Sequence, residues 1–268
     1  MKKVHIVALK EDLKPLLSSI QKSGELMLLA SEDIVFEEDA IYEENVIQRT
    51  DKSMRFLKKF QEKQKLFSNY HEVDYETFVT LDPKREQMLE QVEKAEEKLQ
   101  QLRNENESLK ESIHFYDIWK DLDLPLDKLN FSRYVNIHLG FVAGKNVETL
   151  KQLIFETGGE CNLFKNTSDG QAVLIANYVE DEQATMEKVR LLGFNEITLP
   201  QEPFLVADII ARKEKQLETN EQTILAITEE MKSLSKQLTE LKLLSDQMAS
   251  VSEMKRAPVT KTLSAIYL

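Results

Sequence analysis

The chain has 268 residues, with 47 acidic against 35 basic side chains and a net charge of −12. That length allows about two domains, and the acidic balance argues against gripping nucleic-acid phosphates or lying on an anionic membrane through a basic face. Charged residues at 31% and aromatics at 7% suit a coiled coil better than a compact enzyme, and the single Cys161 excludes an internal disulfide and points to a reducing compartment.

The opening Met1-Lys2-Lys3-Val4-His5 lacks the apolar region of a signal peptide. No run reaches the ~18–20 apolar residues of a membrane span, so the chain is expected to be soluble. Residues 4–9 read as a short strand, with Val4, Ile6, Val7 and Leu9 apolar. Asp12 opens a helix carrying Leu13, Leu16, Leu17 and Ile20 at helical spacing, and Gly24 is placed to cap it. Residues 26–29 read as a second strand. This βαβ unit is too small to bury a core alone. Residues 32–44 hold Glu32, Asp33, Glu37, Glu38, Asp39, Glu43 and Glu44 with no basic residue. A solvated loop is the favoured reading, and a docking surface for a basic partner is the other.

Residues 46–68 read as a helix with Met54, Leu57, Phe60 and Phe67 available for packing, followed by a loop over 69–82. Pro83 then sits in the first turn of a long helix. Residues 84–120 contain neither Gly nor Pro, and Met88, Val92, Ala95, Leu99, Leu102, Asn106, Leu109, Ile113 and Tyr116 recur in steps of four and three. Residues 206–254 answer them with Leu217, Asn220, Ile224, Ile227, Met231, Leu234, Leu238 and Leu241. Both stretches are coiled-coil seams, each arm on the order of 55 Å long at about 1.5 Å per residue.

Each seam carries one Asn. In an antiparallel pair with Asn106 facing Asn220, Leu109 meets Leu217, Leu102 meets Ile224, Leu99 meets Ile227, Val92 meets Leu234 and Met88 meets Leu238. Two readings stand. The Asn residues pair with each other and set the register, or each is partly wet at a helix edge. The return arm then overhangs the outgoing one, leaving Leu241, Leu244 and Met248 to be covered by the helix at about 46–68.

Between the arms, residues 122–205 hold Gly140, Gly144, Gly158, Gly159, Gly170 and Gly193. The predicted order is a strand at 134–142, a helix at 147–157, a strand at 160–165, a turn at 166–170, a strand at 171–179, a helix at 180–192 and a strand at 194–199. That is βαββαβ, the ferredoxin-like pattern, with both helices on one face of four strands. Pro258 breaks the return helix, and residues 259–268 alternate towards a strand that would help complete the N-terminal lobe. The abrupt end suggests a fragment cut from a longer chain.

The expected fold is therefore α+β: two small α/β lobes joined by a long antiparallel coiled-coil or helical-bundle hairpin. One lobe is formed by 1–45 with 258–268, the helical rod by 46–121 with 206–257, and the distal ferredoxin-like lobe by 122–205.

No catalytic, cofactor-binding or metal site is expected. There is no Gly-rich phosphate loop. His5, His71, His114 and His138 lack metal spacing. Glu111 and His114 match one Glu-x-x-His fragment, where a di-iron bundle needs two copies and further carboxylates. Cys161 and His138 could meet within the tip lobe, but a lone Cys in a small domain is usually a buried apolar residue.

The layout resembles the N-terminal cytoplasmic part of the large membrane subunit of rotary V/A-type ATPases, called subunit a or subunit I. The stretches that carry the resemblance are "KKVHIVALKEDLKPLLSSIQKSGELML", "KREQMLEQVEKAEEKLQQL", "YVNIHLGFVAGKNVETL", "VRLLGFNEITLPQEP" and "TKTLSAIYL". They span the whole chain and are diffuse, and the Gly-Trp strand that usually follows the last is absent. The resemblance implies a non-catalytic stator that anchors peripheral stalks, E/G-type helical heterodimers, and resists rotor torque during proton or sodium transport. It also implies an approach to the central-rotor cap subunit (C/d type), and a C-terminal membrane domain facing the rotor ring. The complex would work in ATP hydrolysis or ATP synthesis on the cytoplasmic side of a membrane. Partner contacts would fall within 134–200 and 1–45. Two other readings are a coiled-coil arm with a hinge domain and a ferredoxin-like small-molecule sensor. The first lacks a phosphate loop and a basic hinge; the second calls for a ligand-dependent shift in thermal stability.

Overall fold

The computed structural model describes residues 6, 8–24, 40–61, 72–129 and 132–255. The chain is a mixture of helix and sheet and divides into two compact units. One comprises residues 1–99 and 225–268, the other residues 100–224. The strands expected at 26–29 and 259–268 lie outside the described residues, as does most of the one at 4–9.

In the first unit, α1 (Leu13–Ser23) follows a 3-10 turn. It ends at Gly24, whose φ of +65° is the left-handed conformation that a helix C-cap needs. The helix α2 (Ile41–Leu57) starts earlier than expected and ends in a 3-10 turn at Lys58–Phe60; residues 62–71 lie outside the described residues. Its first turn therefore takes in Glu43 and Glu44, where carboxylates complement the helix dipole. So the end of the acidic stretch is not a solvated loop. Glu43 is buried, and its Oε1 lies 3.0 Å from Lys255 Nζ.

The expected loop over 69–82 contains a helix as well. Asp74 caps α3 (Tyr75–Val79), accepting from the Thr77 backbone N–H at 2.9 Å and the Thr77 hydroxyl at 2.8 Å. Asp82 then accepts from the Lys84 N–H at 2.9 Å at the start of α4 (Pro83–Asp117). The helix ends there, three residues short of the expected 120.

The expected seam of α4 is its buried face. Met88, Val92, Ala95, Leu99, Leu102, Asn106, Leu109 and Tyr116 are all buried, and Ile113 is half-buried. On the return path the expected single helix is two, α7 (Val206–Ser235) and α8 (Leu238–Lys255). No Gly or Pro causes the break. The Gln61 side chain donates to the Ser235 carbonyl at 3.1 Å, taking an acceptor from the helical ladder. Around it the N–H groups of Lys236 and Gln237 bond three residues back, to Ser233 and Leu234.

Three helices pack together in this first unit. Tyr42, Arg49 and Lys52 on α2 reach Glu86, Glu93 and Glu96 on α4, a constant separation that makes α2 and α4 parallel. The Lys255–Glu43 pair lies across α8 and α2, which pack on each other. Leu241, Leu244 and Met248 are accordingly buried. Arg85 and Gln247, both buried, tie in α3. Arg85 donates to Glu240 at 2.9 Å and to the Gln247 side-chain oxygen at 3.2 Å. The Gln247 amide donates to the carbonyls of Phe78 and Thr80 at 2.6 and 3.0 Å.

The second unit is built on a four-stranded antiparallel sheet. In chain order come β1 (Val135–Val142), α5 (Val147–Glu156), β2 (Glu160–Thr167), β3 (Gly170–Tyr178), α6 (Glu182–Leu191) and β4 (Asn195–Ile197). The spatial order is β2-β3-β1-β4. Alternate residues face opposite ways. Val142, Val173 and Ile175 meet Leu150 and Ile154 of α5 and Met186 and Val189 of α6. Leu139, Phe141, Ala172 and Leu174 face the other way. They pack with Tyr116, Trp119 and Leu122 at the end of α4 and with Val206, Ile209 and Ile210 at the start of α7. The core of this unit thus extends to both sides of 122 and 205.

Candidate functional site

Among the described residues no group of His, Cys, Asp and Glu could hold a metal ion. No described helix is long and apolar enough to cross a membrane. The residues singled out as chemistry-bearing are dispersed. His5 and His71 lie outside the described residues. Glu111 and His114 are exposed on α4. Cys161 and His138 do not meet, because each is opposite Ile175, on either side of β3. That places them two strand spacings apart, about 9–10 Å. Burial pushes the Cys161 thiol up from its ordinary range, against a small opposing pull from Lys151.

Asn106 and Asn220 are both buried, and the Asn220 Nδ2 donates to the Asn106 Oδ1 at 3.0 Å. The flanks of the same two helices carry further links. Gln216 donates to Glu105 at 2.5 Å in this unit, and in the first unit Gln91 bonds Glu230. Along α7, Leu217, Ile224 and Ile227 are only half-buried, whereas Met231 is fully buried.

The two connections into the sheet also grip each other. Leu126 N–H donates to the Phe204 carbonyl at 3.2 Å and Asp127 N–H to the Glu202 carbonyl at 3.0 Å. The Tyr116 hydroxyl donates to Glu202 at 3.3 Å, and burial, with the Glu202 carboxylate beside it, raises that phenol above its ordinary range. The Arg212 guanidinium stacks 3.5 Å from the centre of the Phe204 ring. Lys165 on β2 reaches Asp117 at the last residue of α4, at 2.5 Å, and this hydrogen bond is the main reason the Asp117 carboxyl lies below its ordinary range. Trp119 packs edge-on to Phe141 and tilted against Phe164, with ring centres 5.8 and 5.3 Å away.

One end of the sheet exposes large side chains. Tyr134 is 76% exposed and Phe155 81%, with Tyr178 and Val179 also exposed. Val179 N–H bonds the Tyr134 carbonyl, and Phe155 lies one turn from Gly158, beside which the Tyr178 ring sits. This end falls within the expected docking region 134–200. Sequence periodicity did not single these residues out, because apolar residues at strand and helix ends read as core from spacing alone. In the region 1–45, α1 carries Leu16, Leu17 and Ile20 half-buried, and the Ser18 hydroxyl lies 3.4 Å from the Tyr75 hydroxyl of α3.

No family model matches this chain, and no curated protein matches it. Among solved structures it is similar to one described as the cytoplasmic N-terminal domain of subunit I, homolog of subunit a, of V-ATPase. The likeness is 16% in sequence identity with a TM-score of 0.49, over 92% of this chain and 86% of that one.

Proposed function

We propose that this chain is a non-catalytic stator element, the cytoplasmic domain of the ion-translocating membrane subunit of a rotary V/A-type ATPase. Its work is mechanical: it anchors E/G-type peripheral stalks and opposes the torque of the rotor. In this reading α4 and α7 form a coiled-coil hairpin, and the sheet with α5 and α6 is a ferredoxin-like lobe. The stretches of this chain that carry the resemblance support it, from "KKVHIVALKEDLKPLLSSIQKSGELML" to "TKTLSAIYL".

The observation that carries the reading is the shared core of the second unit. Tyr116, Trp119 and Leu122 enter the sheet's core from α4, and Val206, Ile209 and Ile210 from α7. A load on the lobe therefore passes into two helices through packed side chains. The buried Asn106–Asn220 hydrogen bond resists sliding of one helix along the other. Both features suit a part that bears load, and neither is needed for catalysis. The exposed end at Tyr134, Phe155, Tyr178 and Val179 is the favoured stalk-docking surface, with the central-rotor cap subunit as a further neighbour.

The test is a pull-down of the full chain against a purified E/G-type heterodimer. Binding is expected, and it should weaken at least tenfold in the doubly substituted Phe155→Glu, Tyr178→Glu chain. Binding that survives this change moves the contact to residues 1–45, and no binding by the unaltered chain overturns the stator reading.

A further inference from the structure

The end of the sheet that exposes Tyr134, Phe155, Tyr178 and Val179 also carries charge. Three short segments meet there. The Val179 N–H donates to the Tyr134 carbonyl at 3.0 Å, the Gly158 N–H to the Phe155 carbonyl at 3.1 Å, and Val135 lies opposite Tyr178 on the β1–β3 ladder. A Cβ at Gly158 would come 3.7 Å from the Tyr178 ring, which ties the segments at 155–160 and 178–182 together. Along 132–134, 155–160 and 178–182 stand Glu156, Glu160, Glu180, Asp181 and Glu182, with Arg133 as the single basic residue. Lys151, one turn before Phe155 on α5, is paired with Glu148 instead. Glu182 accepts from the Asn136 amide and Glu156 from the Gln152 amide. Glu160, Glu180 and Asp181 are exposed and make no ion pair or side-chain hydrogen bond among the described residues.

A partner that covers the exposed rings also comes against these three carboxylates. An apolar cover would strip them of water without replacing it, and an acidic one would repel them. The same repulsion works against an anionic lipid surface and against nucleic acid. Lys and Arg would pair with the carboxylates, and Arg would also stack on the Tyr and Phe rings. We infer that the element seated on this end is a cationic amphipathic segment of a protein, with Arg or Lys meeting Glu160, Glu180 and Asp181 around an apolar anchor on Phe155 and Tyr178. The choice of surface rests on the stator reading, and the inference adds the charge its partner carries.

Two synthetic amphipathic peptides of equal length, one of Leu and Arg and one of Leu and Glu, are titrated into the full chain at low and high salt, with hydrogen exchange locating the contact. The Leu/Arg peptide should bind more tightly, protect residues 155–160 and 178–182, and weaken as salt rises. Glu160→Gln, Glu180→Gln and Asp181→Asn combined should weaken it about tenfold, the scale of a few exposed ion pairs. The same combined variant should weaken an E/G-type heterodimer alike. Neutralising Glu214, Glu218 and Glu221, exposed on α7, is the control for net charge and should leave binding unchanged. Protection elsewhere, equal loss in the two combined variants, or preference for the Leu/Glu peptide would each overturn the inference. A heterodimer that binds the unaltered chain and ignores the first combined variant would overturn it too, while supporting the stator reading. The expected peptide results with no heterodimer binding would support the cationic partner and overturn the stator reading.

Discussion

Substitution of the buried asparagine pair gives a quantitative test of register. Asn106 and Asn220 are 6% and 8% exposed, and they share a 3.0 Å hydrogen bond. Replacing Asn106 by Leu removes the acceptor and leaves the Asn220 amide buried without it, which costs about 1–3 kcal/mol. Replacing Asn220 alone does the same to Asn106. With both replaced, no polar group is stranded and a Leu–Leu contact joins the seam, so most of the loss should return. A double-mutant cycle should therefore give a coupling energy of about 1–3 kcal/mol. The assay is urea unfolding followed by helical circular dichroism, with hydrogen exchange over residues 100–117 of α4 and 206–224 of α7 reporting the second unit separately. Separate reporting matters, because a chain with two units need not unfold in one step. A double variant whose loss equals the sum of the two single losses would refute the pairing and the register argument built on it.

Four further outcomes are expected. Gln247→Leu removes the donor to the Phe78 and Thr80 carbonyls and one acceptor of the buried Arg85, so stability should fall by about 1–3 kcal/mol, with exchange protection lost first in α3. Gly140→Ala places a methyl against the Asn195 carbonyl and the Phe194 ring and should cost about 1–3 kcal/mol or more, read as a lower thermal midpoint together with lost protection in β4. For Glu43, desolvation pushes its carboxyl up, but the Lys255 ammonium and the residue's own backbone N–H outweigh it and leave the group below its ordinary value of 4.5. A depressed carboxylate stabilises the fold above its unfolded value and loses that contribution as pH falls through the folded one. Acid unfolding of Glu43→Gln should therefore be less steep below about pH 4.5 than that of the unaltered chain. The lone Trp119 is fully buried beside Phe141 and Phe164, so its fluorescence should be blue-shifted when folded and should report the second unit alone. Emission at the wavelength of exposed tryptophan in the folded chain would contradict the shared core.

The 4–3 spacing of α4 was legible because a helix repeats every 3.6 residues, so one apolar stripe selects one buried face. The same residues from Met88 to Tyr116 form that stripe and that face. The strand and helix order of residues 134–199 was legible for a similar reason, since Gly158, Gly170 and Gly193 mark ends where φ turns positive. The two Asn residues stood out because each interrupts an otherwise apolar seam. The exposed Tyr134 and Phe155 did not stand out, because spacing ranks residues by type and not by what lies outside them.

What the sequence by itself determined is local and periodic: which faces of the long helices are apolar, where glycines end elements, and that no phosphate loop or paired metal motif is present. Tertiary structure decided what depends on partners far along the chain. The break before Leu238 follows from Gln61, a residue 174 positions from Ser235. The buried Glu43 follows from Lys255, and the covered second face of the sheet from the ends of α4 and α7. Each is a contact between distant segments, and the energy of such a contact is written in neither segment alone.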